Sequence, residues 1–424
     1  MGGVVGGPAD VNGDGLSDLV IGAKTGNGVP REVWVYLGNK GAQLNATPAV
    51  IITGVVATTA TAAGPQRLQT VGNFNGDVSA SGKPVMDIAV RSAKDLNYAQ
   101  SETVYVIPGN PGWSNASPLT ITLTNALDRS NNNIVRVRLS DGTNTSTLFG
   151  QNFHGGNVLL ENGGVGQQFD ELVVSQQASP QQVNVIRGRE LSGALDLMMT
   201  SASTGVQAND TDTVRIFQQT GTGQQSFGAY FDLVEFDGKP GLDLAIQHQT
   251  GGVADHPGFY WLRGSAIQAA AVAPPQNTIT LYITAAVAGF TDLFSVGAGY
   301  LSWSFAWGPQ NTGNFFDDPS TGLHTDVMYA RPPFTGATGG GQQVILRMAV
   351  PRSETANEVG FVYEDLVITD PFVPTNSLFG YNTTAASGIG FAPAGDFNKD
   401  GFVDLIIGSA DGTGGVKGST LIVY

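Results

Sequence analysis

An aspartate followed at once by an apolar, β-forming run occurs six times along the chain. The six aspartates are Asp18, Asp87, Asp170, Asp243, Asp326 and Asp404, and successive copies are similarly spaced. A second apolar phrase follows each aspartate at a nearly constant offset, and in the first four copies it ends on glycine: Gly38, Gly109, Gly188 and Gly264. Two phrases that hold this register six times predict a structural repeat of about 75 residues.

Each repeat contains about four short runs rich in Val, Ile, Leu and Tyr, bounded by Gly, Asn, Pro and Ser clusters. Such runs predict β-strands, and helical spacing of apolar residues is confined to the Ala-rich stretch 266–273. We expect the fourth strand of the first five repeats in AVIITGVV, LTITLTNA, LDLMMTSA, TITLYITAA and EDLVITDP, respectively. Four-stranded units repeated radially form a β-propeller. We therefore predict an all-β fold, a propeller of about six four-stranded blades.

The six repeats fill the chain from end to end, so we predict a single domain over residues 1–424. The approximate repeat boundaries are 1–54, 55–128, 129–203, 204–284, 285–370 and 371–424. The last repeat stops on its third strand, LIVY. Three ways of closing the circle stay open: a truncated sixth blade, a sixth blade completed by the N-terminus, or a seventh blade in a longer parent protein.

Composition excludes several classes of function. The chain has 35 acidic and 20 basic residues, a net charge of −15 and a pI near 4.5, which argues against nucleic acid and anionic membranes as partners. The absence of cysteine excludes disulfides, thiolate metal sites and a cysteine nucleophile. No apolar run is long enough for a transmembrane helix. The four histidines belong to no known catalytic motif, so we predict no catalytic residue and no enzyme.

Two acidic loops, in the first and last repeats, carry the strongest chemical signal. Residues 10–18 (DVNGDGLSD) and 396–404 (DFNKDGFVD) place oxygen-bearing side chains at loop positions 1, 3, 5 and 9, glycine at 6 and a free carbonyl at 7. This pattern suits a hard cation such as Ca²⁺. The predicted ligands are Asp10, Asn12, Asp14, Leu16, Asp18, Asp396, Asn398, Asp400, Phe402 and Asp404, with Leu16 and Phe402 contributing carbonyls. An EF-hand is excluded, because Ile21 and Ile407 stand where its bidentate glutamate would be.

The other four repeats depart from this pattern. In the second, a six-residue insertion delays the aspartate, and the candidate ligands are Asn73, Asn75, Asp77 and Asp87. In the fifth the candidates are Asp318, Ser320 and Asp326, while the third has lost the site and Lys239 takes position 5 in the fourth. We therefore expect two structural Ca²⁺ sites, and up to four. The alternative is that these loops are Asx turns without an ion.

With strands on both sides and an acidic ninth position, the loops resemble the FG-GAP repeats of integrin α-subunit propellers and related bacterial proteins. The resemblance covers the whole chain as a six-fold pattern, although its motif is complete only in residues 10–18 and 396–404. It implies that the loop joins the first and second strands of a blade and that the ion stabilises this turn. It also implies that the opposite face, which carries variable loops, takes part in ligand contact.

Those variable loops contain the candidate ligand-binding residues Arg91, Tyr98, His248, His256 and Arg331. Tolerated surface loops are the alternative. We predict an extracellular or cell-surface ligand-binding and adhesion module of bacterial type, with a protein or glycan ligand on the face opposite the calcium loops. The alternatives are a carbohydrate-binding propeller (lectin), a structural surface-layer subunit that assembles with copies of itself or within a larger parent protein, and, last, a glycoside hydrolase or lyase.

Overall fold

The computed structural model describes residues 4–24, 30–41, 44–55, 67–92, 102–139, 149–160, 169–176, 181–199, 213–218, 227–228, 231–235, 240–248, 258–271, 278–281, 290–292, 310–311, 327–331, 343–354, 359–369, 389–395, 398–399, 404–409 and 419–423. In these ranges the chain is mostly β-strand with two short helices, and most strand pairs are antiparallel. The prediction of a β-rich chain of several antiparallel sheets is therefore confirmed.

The secondary structure begins with a series of short strands. In chain order the first elements are β1 (Val4–Ala9), β2 (Asp18–Lys24), β3 (Pro30–Tyr36), β4 (Val50–Thr53), β5 (Leu68–Thr70), β6 (Ile88–Ser92), β7 (Thr103–Ile107), β8 (Leu119–Thr122), α1 (Ala126–Asn131), β9 (Val135–Leu139), β10 (Phe149–Gly156), β11 (Glu171–Gln176), β12 (Gln182–Ile186), β13 (Leu195–Met199) and β14 (Thr213–Gln218). The next are β15 (Phe231–Val234), β16 (Asp243–His248), β17 (Gly258–Leu262), α2 (Gly264–Ala271), β18 (Thr278–Leu281), β19 (Phe290–Asp292), β20 (Gln310–Asn311), β21 (Val327–Arg331), β22 (Gln343–Glu354), β23 (Val359–Thr369), β24 (Ile389–Gly395), β25 (Asp404–Ser409) and β26 (Ser419–Val423). Helix α2 coincides with the Ala-rich stretch.

The chain divides into two compact units. The first contains Met1–Gln219 and Ile267–Ile283, and the second contains Thr220–Ala266 and Thr284–Tyr424. The first unit holds three five-stranded sheets, in the orders β1-β2-β3-β4-β8, β5-β6-β7-β9-β13 and β10-β11-β12-β14-β18, here called sheets 1, 2 and 3. In each sheet the first four strands are antiparallel neighbours, and the fifth lies parallel to the fourth.

The fifth strands correct the expected strand assignment. The runs LTIT, LDLMM and TITL, which we expected to be fourth strands of their own repeats, form β8, β13 and β18 and pair with the fourth strand of the preceding sheet. The fourth strands of sheets 2 and 3 are β9 and β14 instead. Two apolar runs follow the third strand along the chain in each of these three cases, and the second of them, β9, β14 or β19, is the one that pairs with that third strand.

Sheets 1, 2 and 3 pack face to face. One core, between sheets 1 and 2, includes Val20, Val33, Ile52, Ile88, Val90 and Ile107, and another, between sheets 2 and 3, includes Ala89, Val104, Val106, Phe153, Leu172 and Ile186. Successive residues of a strand point to opposite faces. Strands β6 and β7 are therefore buried at every position, because sheet 2 has a core on both faces.

The second unit contains three further sheets of sequential antiparallel strands. Their orders are β15-β16-β17-β19, β20-β21-β22-β23 and β24-β25-β26. The long hairpin β22–β23 pairs from Gln343↔Thr369 to Glu354↔Val359, with a register shift between Pro351 and Ser353. Apart from the parallel fifth strands of sheets 1, 2 and 3, the strands of each sheet thus follow the chain in up-and-down order.

Candidate cation loops and their acid–glycine clamps

The first acidic loop lies between β1 and β2 and is turned by hydrogen bonds to its own side chains. Asp14 N donates to Asp10 Oδ1 (3.0 Å) and to Asn12 Oδ1 (3.2 Å), while Gly15 N donates to Asp10 Oδ2 (2.6 Å). Leu16 N donates to Asp14 Oδ1 at 2.8 Å, and Asn12 Nδ2 donates to Asp14 Oδ2 at 3.0 Å. The side chains at positions 1, 3 and 5 therefore converge on one small volume.

Asp18, at position 9, is held by backbone hydrogen bonds. It is 2 % exposed, and its two oxygens accept Val11 N (2.8 Å) and Gly38 N (2.7 Å). Burial raises its pKa to about 6, against the opposing effect of the two backbone hydrogen bonds; the nearby Asp14 and Asp10 carboxylates add to the rise. Asp18 thus joins the start of the loop to the end of β3. We call this arrangement an acid–glycine clamp.

The second repeat has the same clamp. Asp87 is fully buried; its Oδ2 accepts Phe74 N (2.8 Å) and Asn75 N (3.3 Å), and its Oδ1 accepts Gly109 N (2.9 Å). Burial raises the Asp87 pKa to about 8, and the backbone donors oppose this rise. Asp87, predicted as a ligand, is thus held by three backbone N–H groups.

Strand register identifies the corresponding acid in the third repeat as Glu171, not Asp170. Leu172 pairs with Ile186 as Leu19 pairs with Tyr36 and Ile88 with Ile107, so Glu171 occupies the position of Asp18 and Asp87. Its Oε2 accepts Val158 N (2.7 Å) and Leu159 N (2.9 Å). The longer glutamate side chain, at the start of β11, thus accepts backbone N–H groups as Asp18 and Asp87 do, and a pattern of repeated aspartates does not reveal it.

Parts of the clamp recur in the second unit. Asp243, at 1 % exposure, accepts Gly264 N on its Oδ1 at 2.7 Å. Asp404, also at 1 % exposure, accepts Asn398 N on its Oδ2 at 3.2 Å. Wherever the structure describes it, the acid at this register position is therefore a buried acceptor for backbone N–H groups.

The glycine that ends the second apolar phrase is required because the neighbouring backbone lies too close for a side chain. A Cβ on Gly38, Gly109, Gly188 or Gly264 would lie 2.5, 2.4, 2.4 and 2.7 Å from the carbonyl oxygens of Ser17, Met86, Asp170 and Leu242, respectively. Each of these carbonyls belongs to the residue just before the buried acid. The nearly constant offset between acid and glycine is thus the length of the hairpin that brings them together.

Each loop is also bound to the next repeat. Met86 N donates to Asp10 O (2.9 Å) and Asn110 N to Val11 O (2.9 Å). One repeat further on, Asp170 N donates to Asn73 O (2.9 Å) and Arg189 N to Phe74 O (2.8 Å). These pairs occupy equivalent positions, so repeats 1 and 2 are joined in the same way as repeats 2 and 3.

The second loop keeps the contact between positions 3 and 5. Asp77 N donates to Asn75 Oδ1 (3.1 Å) and Asn75 Nδ2 donates to Asp77 Oδ2 (2.5 Å), as Asp14 and Asn12 do in the first loop. At position 1, however, Asn73 Nδ2 donates to Asp77 O. Asn73 N also donates to Asp170 Oδ2 at 2.6 Å, which opposes the rise that burial causes in the Asp170 pKa. This loop therefore offers one carboxylate fewer than the first.

The donor set of the first loop fits a hard cation. Asp10, Asn12 and Asp14 supply carboxylate and amide oxygens within one loop, and oxygen atoms are the ligands that a hard cation such as Ca²⁺ prefers. Within the described part of the chain, no group of three or more His, Asp or Glu side chains is placed to hold a metal ion. The side chains that converge in the first loop are those of Asp10, Asn12 and Asp14. The ligand roles of Leu16 and Asp18 stay predictions.

The remaining predicted ligands lie mostly outside the described residues. This holds for Asp396, Asp400 and Phe402 in the last loop, and for Asp318, Ser320 and Asp326 in the fifth repeat. Asn398 and Asp404 are described, and their hydrogen bond links the last loop to the start of β25. Their role as ligands stays a prediction.

The candidate ligand face needs one correction. Arg91 is 2 % exposed, pairs with Glu102 at 2.6 Å and donates from Nε to Phe149 O, while Glu102 Oε2 accepts Phe149 N. It therefore joins sheet 2 to sheet 3 in the interior and is not available to a ligand. His248 ends β16 and Arg331 ends β21, without described side chains; Tyr98 and His256 lie outside the described residues.

Comparison with protein-family models gives no match to this chain, and comparison with curated proteins gives none either. Among the described residues, no helix is long and apolar enough to cross a membrane. The site must therefore be interpreted from its own geometry, and the resemblance to FG-GAP repeats stays a prediction.

Proposed function

We propose that the chain is a calcium-stabilised β-propeller that acts outside the cell as a ligand-binding or adhesion module. The observation that carries the calcium part is the convergence of Asp10, Asn12 and Asp14 in the first loop. Two carboxylates and an amide, brought together on a turn that the backbone already forms, are the ligands that Ca²⁺ prefers.

The propeller is supported by the two equivalent hydrogen-bond pairs between successive repeats. A relation that is repeated from one unit to the next generates a ring or a solenoid. Strand β5 lies beside both β1 and β10, so the first strands of the three sheets are neighbours. A radial arrangement with first strands innermost accounts for this order.

The ligand-binding role is supported by where the loops must lie. The acidic loops join first to second strands, so the connections between second and third strands leave the other end of each sheet. These connections differ in length and composition, as expected of binding loops on a rigid scaffold. The ligand is proposed to be a protein or a glycan.

Calorimetry with Ca²⁺ and thermal unfolding with and without chelator test the calcium part. Extracellular modules bind Ca²⁺ at about 10⁻⁴ to 10⁻³ M, which at millimolar Ca²⁺ stabilises the fold by about 0.4 to 1.4 kcal/mol per site. Asp14→Ala with Asp400→Ala should abolish most of this response. Glu190→Ala removes an exposed carboxylate outside the loops and should leave it intact. A wild-type protein that melts identically with Ca²⁺ and with chelator contradicts the proposal.

The type of ligand is decided by two further measurements. Binding to a glycan array would favour the lectin, and calcium-dependent light scattering would favour a surface-layer subunit. Binding to host or bacterial surface proteins without either response supports the adhesion module. Each assay should be repeated in chelator, because removing a structural ion destabilises the scaffold and should weaken all of these interactions together.

A further inference from the structure

The six-residue insertion of the second repeat forms a small hairpin, residues 78–84. Val78 and Pro84 pair as an isolated bridge, Ser79 N donates to Lys83 O (2.8 Å), and Gly82 N closes the tip on Ser79 O (2.8 Å). Proline at position 84 disfavours helical backbone at Lys83. The insertion is thus an ordered element rather than a loose extension of the second loop.

This hairpin lies over the first acidic loop. A Cβ on Gly13 would meet Ser79 Cβ at 2.6 Å and Val85 Cγ2 at 3.0 Å, and a Cβ on Gly15 would meet Lys83 Nζ at 1.9 Å. Both glycines have positive φ, 70° and 90°, so the turn and the docking of the hairpin favour the same residue type. Val85 is fully buried and Ser79 is 9 % exposed, which anchors both ends of the contact.

The position of Lys83 is electrostatically significant. Its ammonium lies against Gly15, whose N–H is held by Asp10 Oδ2 at 2.6 Å, and Asp14 precedes Gly15 in the chain. The first loop thus has an exposed lysine ammonium of the next repeat against its backbone. Because the contact is with the backbone of Gly15, the charge acts through space on Asp10 and Asp14.

We propose that Lys83 is a built-in competitor for the cation of the first loop. Without Ca²⁺, the Lys83 ammonium offsets the repulsion between the Asp10 and Asp14 carboxylates and so stabilises the empty loop. Ca²⁺ must displace this ammonium in order to bind, and the competition weakens ion binding. This inference rests on the proposed calcium site, and it adds a control on that site's affinity from the neighbouring repeat.

The test compares Lys83→Gln with Lys83→Arg, which keeps the charge. Calcium calorimetry in an Asp400→Ala background reports the first loop without the predicted ion of the last loop. We expect Lys83→Gln to bind Ca²⁺ about tenfold more tightly, the order for one unit charge about 6 Å from a divalent ion in water. Lys83→Arg should retain wild-type affinity. In chelator, Lys83→Gln should lower the melting temperature, and this loss should vanish when Asp10→Asn and Asp14→Asn are also present.

The outcomes separate this inference from the proposed function. If the protein binds Ca²⁺ but Lys83→Gln binds it no more tightly than wild type, the competitor is refuted and the calcium site stands. If no variant binds Ca²⁺, the calcium site fails and with it the competition. The chelator experiment then decides the counter-ion role: a loss of stability that depends on Asp10 and Asp14 supports it, and one that persists without their charges refutes it.

Discussion

The acid–glycine clamp makes Gly109→Ala a severe substitution. The new Cβ would lie 2.4 Å from Met86 O, 2.5 Å from Val11 O and 2.7 Å from Val85 Cγ1. Two of these three atoms are backbone, so no side-chain rotation relieves the contact. Restoring 3.0 to 3.4 Å requires a shift of about 0.6 to 1.0 Å (3.0 − 2.4 to 3.4 − 2.4).

That shift breaks a hydrogen bond to a buried carboxyl group. Gly109 N donates to Asp87 Oδ1 at 2.9 Å, and Asn110 N donates to Val11 O at 2.9 Å. Leaving the buried Gly109 N–H without its acceptor costs about 1 to 3 kcal/mol, and overpacking costs about 1 to 3 kcal/mol. Alanine recovers about 0.4 to 1 kcal/mol by restricting the unfolded chain. We expect a net loss of about 2 to 5 kcal/mol.

Hydrogen–deuterium exchange of peptides across β6 and β7 measures this loss locally, which suits a chain with two compact units. Gly112→Ala is the matched control, because Gly112 is exposed and its Cβ would meet only the Asn110 side chain within 4 Å, at 3.0 Å and beyond. We expect it to change stability by less than about 0.5 kcal/mol. Equal protection in the two variants would show that the clamp does not need glycine.

Three further predictions concern the first unit. In chelator, the stability measured by thermal unfolding should fall as pH rises from 5 to 9. Burial raises the folded-state pKa of Asp18 to about 6 and that of Asp87 to about 8, above the unfolded value of 3.8, so Asp87→Asn should flatten the upper part of this curve. Arg91→Met should cost about 3 to 5 kcal/mol by leaving Glu102 buried without its cation, and adding Glu102→Gln should restore part of the loss; a double variant as unstable as the sum of the two single variants would contradict this. Ile121→Ala, at a fully buried position of β8, should cost about 2 to 5 kcal/mol by urea unfolding, whereas Leu119→Ala, at 40 % exposure on the same strand, should cost far less; equal losses would mean that β8 is not packed as described.

The strands that begin at the repeated acid were accessible to sequence reasoning. Strands β2, β16 and β25 begin at Asp18, Asp243 and Asp404, and β6 begins one residue after Asp87. Apolar β-forming runs between turn residues are a local signal, so such strands can be identified without knowing their partners. The runs 134–139 and 213–218 carry the same kind of signal, and they form β9 and β14, the fourth strands of sheets 2 and 3.

Site residues were harder to assign, because a side chain's role depends on what surrounds it. Arg91 and Glu102 are polar in the sequence, but sheet 3 packs over them and makes them an interior link. Asp18 and Asp87 have the spacing of metal ligands, and this role stays a prediction; the backbone N–H groups that the hairpin ends place on both of their oxygens could not be read from that spacing. The sequence does not indicate that Lys83 lies near the first loop, because its contact with Gly15 is formed between two different repeats.

The amino-acid sequence by itself determined that an acid and a glycine recur one hairpin apart. The two residues lie at the same end of adjacent strands, so the number of residues between them depends only on the length of the hairpin. The tertiary structure alone decided that β8, β13 and β18 extend the preceding sheet and that the 78–84 hairpin covers the first loop. Those contacts depend on which edges and surfaces stay open after neighbouring sheets have stacked, and such openings are a property of the packed molecule rather than of any one segment.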